Sequence, residues 1–416
     1  MKLLININIL AQTRRESHLQ VKGEAMNDLP TIENAWLAIK KGVIEDFGSM
    51  GDLDPSRFSA YEQVNLRGKA VLPTWSDSHT HIVFADSRHG EFEDRINGLT
   101  YQEIANRGGG ILNSARKLRE LSEDDLFERA ADRLTELISL GTGAIEIKSG
   151  YGLTLDSEVK MLKVIDRLKK TFPIPIKASF LGAHAVPEEF KGDSEAYVDH
   201  VIADILPEVG RTKLADYIDV FCEDGYFSTE QTKRLIEAGK SHGLKAKIHV
   251  NQFTATGGVR VCCEQDAVSV DHLEELTEDD VEALKQRNGG TIAVALPSCS
   301  FFLGIPYTPV KRLLDAGIPV ALATDYNPGS TPSGNMNFVL SLACVVMKMT
   351  PSQAINALTI NGAAAMELSG EVGSITPGKR ANLIVTKELD SLSYLPYAFG
   401  SNHIDHVLIN GETFGQ

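Results

Sequence analysis

The sequence places three histidines and one aspartate where they could hold a single metal ion. His79 and His81 follow an apolar strand candidate, and residues two apart in a strand point to the same side. His249 and Asp325 stand at the ends of two later apolar segments. Three neutral imidazoles and a carboxylate suit a borderline divalent ion, zinc or iron, and leave room for a water molecule. We therefore predict one Zn²⁺ or iron ion bound by His79, His81, His249 and Asp325.

Two other histidines occupy comparable positions. His272 ends an apolar segment in the string VDHLE, and His184 follows another in the string LGAH. A histidine beside a metal-activated water can accept a proton and return it, because its unperturbed pKa lies close to neutral pH. A structural role is the alternative for each of them.

These residues can meet only if the strands that carry them share one edge. Eight apolar strand candidates alternate with helical segments, one of which has Ser122 as its N-cap. The predicted last residues of these strands are Asp77, Lys148, Leu181, Cys222, Val250, Asp271, Ala295 and Thr324. The alternation predicts an α/β fold, a (β/α)₈ TIM barrel whose strand ends converge on one mouth. A doubly wound sheet is the competing fold, but no GxGxxG or P-loop follows the first strand.

The two ends of the chain have a different pattern. The strings AWLAIK and VIEDFG flank a Lys-Gly turn and predict a hairpin, and short apolar runs separated by turn residues recur near the C-terminus. We predict a small β-sandwich-like domain formed by residues 1–70 together with residues 371–416. The barrel is then formed by residues 71–370.

The charge balance limits the partners. The chain has 41 Lys and Arg against 56 Asp and Glu, so its formal net charge is 41 − 56 = −15 at pH 7. Such a protein lacks the basic face that nucleic acids and anionic membranes require. If the ligand is an anion, a local cation must bind it against an unfavourable overall field.

Two features predict the compartment. Asparagines interrupt the apolar run of MKLLININIL, so this segment predicts a strand rather than a signal peptide. The five cysteines are odd in number and have no CxxC spacing, which fits a reducing compartment. We therefore expect a cytoplasmic protein without a membrane or nucleic-acid partner.

The pattern PxxxDxHxH from Pro73 to His81, followed by His249, His272 and Asp325, resembles that of the amidohydrolase superfamily. The strings VIEDFG and PGKRANL are similar to its small accessory domain. Four other strings, HTHIVFADSR, RINGLTYQEIANRGGGI, EIKSGYGL and ATDYNPGS, resemble one family within it, the imidazolonepropionases. The resemblance implies a metal-dependent hydrolase that opens the ring of 4-imidazolone-5-propanoate, giving N-formimidoyl-L-glutamate in histidine degradation. It also implies a homodimer.

The resemblance assigns roles position by position. It implies that the metal ligands are His79, His81, His249 and Asp325. It implies substrate or product contacts from Arg88, Tyr151, His184, Gln252, Asn327, Gly329 and Ser330. It implies a catalytic centre made by His272, Asp325 and Gln252, with His272 as the proton-transfer residue and Asp325 as the other candidate base. The guanidinium of Arg88 suits the propionate carboxylate, and a loop salt bridge is its alternative.

Two departures from the family pattern and one lysine at a strand end bear on the chemistry. The stretch before Asp77 is Thr-Trp-Ser, where the family has a glycine and aliphatic residues. Gln252 stands where some members have a glutamate, and because an amide cannot act as a base, this chain would depend more on His272. Lys148 could be compared with the carboxylated lysine that bridges two metals in related enzymes. It ends the second strand rather than the fourth and shares a strand face with Glu146, so we predict an ion pair and one metal.

Two other functions are compatible with these residues. The protein could be a different cyclic amidohydrolase or aminohydrolase, such as a hydantoinase-like enzyme, or an inactive barrel that serves as an assembly partner.

The glycine run within residues 107–111 lacks the P-loop lysine. It predicts a loop over the barrel mouth rather than a phosphate site.

Overall fold

The computed structural model describes residues 1–99, 103–104, 107 and 109–415. Their strands form two separate eight-stranded sheets. No helix in these ranges is both long and apolar enough to cross a membrane. The predicted loop at residues 107–111 lies partly outside the described residues, and its last two residues, Gly110 and Ile111, begin a helix.

The N-terminal part contributes five strands to the first sheet. They are β1 (Lys2–Ala11), β2 (Thr31–Lys40), β3 (Val43–Ser49), β4 (Glu62–Asn65) and β5 (Lys69–Pro73). The pair β2 and β3 is the predicted hairpin, with Lys40 opposite Val43. Leu4, Ile7 and Leu37 lie in the apolar core of this sheet, and the pairing of β1 with β2 shifts in register between Leu4 and Ile7.

The second sheet contains eight parallel strands in sequence order, as a TIM barrel requires. They are β6 (Trp75–Asp77), β7 (Thr142–Lys148), β8 (Ile176–Ala183), β9 (Tyr217–Cys222), β10 (Lys245–Val250), β11 (Ser269–His272), β12 (Ile292–Ala295) and β13 (Val320–Leu322). The predicted barrel is confirmed. Five predicted strand ends coincide with the structure, and the other three differ by one or two residues.

The C-terminal part returns to the first sheet. Its strands are β14 (Leu383–Glu388), β15 (Ile404–Ile409) and β16 (Glu412–Thr413). The sheet has the order β16-β15-β14-β5-β1-β2-β3, with β4 paired to β1. The prediction that both termini build one small β unit is therefore confirmed. The boundaries at residues 70 and 371 stay a prediction.

Helices cover the outside of the barrel. They are α1 (His89–Ile96), α2 (Gly110–Glu120), α3 (Glu123–Ser139), α4 (Leu155–Thr171), α5 (Ser194–His200), α6 (Leu206–Thr212), α7 (Thr229–Ser241), α8 (Gly258–Glu264), α9 (Glu278–Gln286), α10 (Pro297–Leu303), α11 (Val310–Asp315), α12 (Met336–Val345), α13 (Pro351–Asn356), α14 (Gly362–Ala364) and α15 (Tyr394–Tyr397). Ser122 caps α3 by accepting a hydrogen bond from the backbone N–H of Asp125, as the sequence predicts.

The barrel closes through residues that follow its first and last strands. The backbone N–H of Asp325 donates to the carbonyl of His79 at 3.0 Å, and that of His81 donates to the carbonyl of Tyr326 at 2.8 Å. The Thr324 hydroxyl donates to the Asp77 carboxylate at 2.7 Å. The closure therefore holds the segment of His79 and His81 against the segment of Asp325.

Candidate metal centre

The predicted ligands lie close together in the barrel mouth, at or just beyond the ends of their strands. His79 and His81 follow β6 directly, His249 lies one residue before the end of β10, and Asp325 follows β13. All four side chains are buried. The backbone of Asp325 has φ of 57°, in the left-handed region, which is a strained conformation that proteins keep mainly at functional sites.

The donor atoms of these residues surround a small common space. The Nε2 atom of His79 lies 3.0 Å from that of His249 and 3.3 Å from that of His81, and the His81–His249 distance is also 3.3 Å. Asp325 Oδ1 is 3.5 Å from the Nε2 atoms of both His79 and His81. Ligand atoms of a tetrahedral zinc ion lie about 3.3 Å apart, since zinc–nitrogen bonds are roughly 2.0–2.1 Å long. The donor set therefore fits one divalent ion, and the ligand roles stay a prediction.

Two buried carboxylates orient the imidazoles. Asp271 Oδ2 lies 2.7 Å from His79 Nδ1, and Asp219 Oδ2 lies 2.8 Å from His249 Nδ1. Each carboxylate accepts a hydrogen bond from the Nδ1–H group, so the proton stays on Nδ1 and the lone pair of Nε2 faces the common space. Burial lowers the pKa of His249 to about 4, and burial together with Lys148 holds the pKa of His79 well below its usual value. Both rings are therefore neutral, as metal ligands must be.

Lys148 lies behind these carboxylates. Its Nζ is 2.9 Å from Glu146 Oε1 and 2.8 Å from Asp219 Oδ2, and 3.8 Å from Asp271 Oδ2. Although burial opposes ionisation, Asp219 and Glu146 raise the pKa of Lys148 above its usual range. The lysine is an ammonium ion held by carboxylates, so the predicted ion pair with Glu146 is confirmed.

His272 faces the same space from the end of β11. Its ring centroid is 5.3 Å from that of His249 and 5.7 Å from that of His79, and its Nδ1 is 3.3 Å from Glu274 Oε1. Although burial alone would lower it, the pKa of His272 is raised by the Glu274 carboxylate. The φ of His272 is 91°, which makes it a second strained residue at the centre.

Sequence reasoning missed three of the carboxylates at this centre. Asp219, Asp271 and Glu274 are all buried. Each acid lies within an apolar strand segment or just after it. Because acids are rarely buried without a partner, this position could have predicted that each one is paired. Asp271 also directly precedes His272.

A pocket opens over the four donor atoms. Its lining residues are His81, Arg88, Ile111, Tyr151, His184, Phe221, His249, Gln252, His272, Asp325, Asn327 and Ser330. Of the predicted substrate contacts, Gly329 alone is absent from this lining. Its role is explained by its neighbour: a Cβ atom on Gly329 would lie 1.1 Å from the Arg88 guanidinium. Gly329 therefore leaves the space that Arg88 occupies.

The loop after β13 is held by its own asparagine. Asn327 Oδ1 accepts hydrogen bonds from the backbone N–H groups of Gly329 and Ser330, both at 2.8 Å. Its Nδ2 donates to the carbonyl of Asp325 and to the Ser330 hydroxyl, both at 2.7 Å. The Asn327 amide thus orders the loop that carries Asp325, whereas contact with substrate stays a prediction for Asn327, Gly329 and Ser330.

The opposite wall of the pocket carries Tyr151 and His184. His184 Nδ1 donates to the carbonyl of Gly150 at 2.9 Å, and its ring stacks on His81 with centroids 5.5 Å apart. The buried Glu158 carboxylate accepts backbone hydrogen bonds from the 150–153 loop at 2.8–3.1 Å. Burial and the nearby His81 hold the pKa of His184 well below its usual value. His184 is therefore neutral, with its Nε2 available as an acceptor.

Comparison with known proteins agrees with this geometry. The model of the amidohydrolase family matches residues 70–414. Imidazolonepropionase from Christiangramia forsetii is 58% identical over 410 residues, covering 99% of each chain. Imidazolonepropionase from Flavobacterium johnsoniae has the same identity and coverage. The chain belongs to the imidazolonepropionase family of amidohydrolases.

Solved structures show how widely this fold is shared. Atrazine chlorohydrolase from Arthrobacter aurescens, in complex with zinc, superposes with a TM-score of 0.72 at 15% identity. The match covers 99% of this chain and 95% of that one. At this identity the likeness concerns the fold alone.

Gln252 is the departure from the family pattern that lies inside the pocket. Its Nε2 donates to the thiol of Cys299 at 3.3 Å. An amide has no basic nitrogen or carboxylate with which to accept the proton of water. Gln252 therefore cannot be the base, and the assignment of that role to His272 or Asp325 stays a prediction.

The orientation of His249 generates a prediction. Asp219→Asn keeps the shape of the side chain but removes the charge that accepts from both His249 Nδ1 and Lys148. We expect the affinity for Zn²⁺ to fall about 10- to 100-fold, as is typical when the partner of a metal-binding histidine is lost. Competition with a chromophoric chelator measures it.

The matched control is Asp216→Asn. Asp216 binds Lys169 at 2.9 Å and Lys177 at 3.4 Å, remote from the pocket. Its loss should leave the zinc affinity unchanged. Equal affinities for the Asp219→Asn variant and the unaltered protein would show that Asp219 does not support the metal centre.

Proposed function

We propose that the chain hydrolyses 4-imidazolone-5-propanoate to N-formimidoyl-L-glutamate, a step of histidine degradation. The observation that carries this proposal is the convergence of three imidazole nitrogens and Asp325 Oδ1 beneath a pocket that also contains Arg88. The names of the relatives favour this substrate over that of a hydantoinase-like enzyme. The complete donor set argues against an inactive assembly partner.

His79, His81, His249 and Asp325 would hold one divalent ion, zinc or iron. When bound, such an ion supplies Lewis-acid activation of the attacking water. The buried carboxylates behind the ligands are already paired with Lys148, which supports one ion rather than two.

His272 moves the proton in this mechanism. The water oxygen joins the ring carbonyl carbon, the ring C–N bond breaks, and the departing nitrogen takes a proton to become the end of the formimidoyl group. Glu274 holds Nδ1 of His272, so Nε2 is the atom that accepts the water proton and returns it. Although burial opposes ionisation, His81 and His272 lower the pKa of Asp325 to about 2. Asp325 therefore stays a carboxylate, and the stronger base of the two is His272.

Pocket residues select the substrate by charge and hydrogen bonding. Arg88 offers a fork of two N–H groups to the propionate carboxylate. His184 Nε2 accepts from a ring N–H, because its Nδ1 is already used by Gly150. Tyr151, Gln252 and Ser330 complete the polar contacts around the ring.

Turnover with and without metal tests the function. The metal-loaded protein should remove the ultraviolet absorbance of imidazolonepropionate, a chelator should abolish this, and Zn²⁺ or Fe²⁺ should restore it. The ion that restores more activity identifies the better metal. A fully metallated protein that leaves the compound intact would refute the proposed substrate.

Replacement of Arg88 tests the mode of binding. Arg88→Met should lower kcat/KM about 30- to 1000-fold, corresponding to roughly 2–4 kcal/mol for a charge-assisted pair in a partly dry site. Most of the loss should appear in KM. Lys117→Met is the control, because Lys117 is an exposed cation paired with Asp86. If both variants keep the original kcat/KM, Arg88 does not bind the substrate.

We also propose a cytoplasmic homodimer. The five cysteines are free thiols, which fits a reducing compartment. The aromatic side chains of Phe92, Phe301, Tyr397 and Phe399 are each 44–77% exposed. Patches of exposed aromatic residues often mark protein interfaces. Light scattering should give the mass of two chains, and a mass of one chain at micromolar concentration would contradict the dimer.

A further inference from the structure

A second cluster of metal-binding side chains lies beside the first. The cluster consists of three buried residues, His272, Glu274 and Cys299. Each offers one donor atom, and these atoms lie within 4.8 Å of one another. The nitrogen that faces Glu274 is Nδ1 of His272, 3.3 Å from Oε1. The cluster therefore shares His272 with the group formed by His79, His249, His272 and Asp325, and Nδ1 is the His272 atom that faces Glu274.

An unpaired atom at this cluster points to a ligand. Glu274 Oε1 accepts from the Ser300 hydroxyl at 3.3 Å, but Oε2 is buried without a hydrogen-bond partner among the described residues. A buried carboxylate oxygen without a partner is destabilising, because its hydration is lost and not replaced. A cation at this place would satisfy it.

We propose that His272 Nδ1, Glu274 and Cys299 form a second, weaker site for a thiophilic divalent cation such as zinc or cadmium. Nitrogen, carboxylate oxygen and thiolate sulfur are the ligands that zinc takes in proteins. Their spacing in a tetrahedral site is roughly 3.3–3.8 Å, and the 3.3 Å between His272 Nδ1 and Glu274 Oε1 already matches it. The thiol releases its proton to solvent when the sulfur–metal bond forms, which makes binding weaker at lower pH.

Occupation of this site would stop proton transfer. A cation on Nδ1 of His272 leaves the imidazole proton on Nε2, the atom that must accept a proton from water. Excess zinc would then inhibit the enzyme without displacing the first ion. This consequence rests on the proposed function, whereas the binding itself does not.

Cadmium is the probe, because a cadmium–thiolate bond has an ultraviolet charge-transfer absorption that nitrogen and oxygen ligands do not give. The protein loaded at its first site is titrated with Cd²⁺. We expect the absorption to saturate at one equivalent, and to be absent from Cys299→Ser. Cys263→Ser is the matched control, since Cys263 is also buried but lies in α8. It should behave as the unaltered protein does.

Glu274→Gln provides a second test that keeps the thiol. The amide is a poorer ligand, so the Cd²⁺ affinity should fall at least about tenfold. In turnover assays, Cd²⁺ should inhibit the unaltered protein, and Cys299→Ser should require about tenfold more.

Two results would overturn the site: no charge-transfer absorption in the unaltered protein at excess Cd²⁺, or the same absorption in Cys299→Ser. An unaltered affinity in Glu274→Gln would remove Glu274 from it. Failure of the proposed substrate would instead leave the charge-transfer absorption in place, so the two proposals fail separately.

Discussion

The metal centre depends on an ammonium ion buried among carboxylates. Lys148 contacts Glu146 and Asp219 directly and lies near Asp271, and all four side chains are fully buried. Each carboxylate alone would be costly to bury, and the lysine offsets that cost. Asp219 and Asp271 also accept hydrogen bonds from Nδ1–H of His249 and His79. These carboxylates therefore both balance the buried lysine and fix Nε2 as the imidazole nitrogen that faces the centre.

The closure of the barrel and the construction of the centre use the same hydrogen bonds. The strands β6 and β13 are short, and the contact between the first and last parts of the barrel continues beyond them, through backbone bonds between His79 and Asp325 and between His81 and Tyr326. The left-handed backbone of Asp325 is held there by these bonds and by the amide of Asn327. Stability of the fold and geometry of the ligands are therefore coupled at this place.

The net charge of the chain and the charge proposed to bind the substrate have opposite signs. A net charge of −15 does not assist the approach of an anionic substrate, so attraction has to arise inside the pocket. We propose Arg88 as its source, because the guanidinium lines the pocket against a glycine that has no side chain to displace it. Burial strengthens such an interaction, because the low dielectric of the pocket screens it less than water does.

The barrel, five of its eight strand ends and the positions of the predicted ligands were predictable from the sequence, because hydrophobic periodicity is a local feature that each strand repeats. The contacts between side chains, in contrast, depend on how the strands and helices pack against one another. Asp219 meets His249 from the neighbouring strand, so their pairing depends on the register between β9 and β10. Cys299 meets Glu274 from the helix α10, so that contact depends on where the helix lies in the fold. Register is a property of the assembled sheet and is not encoded in any short segment. Likewise, the reason for a glycine at position 329 follows only from its contact with Arg88 in the folded chain.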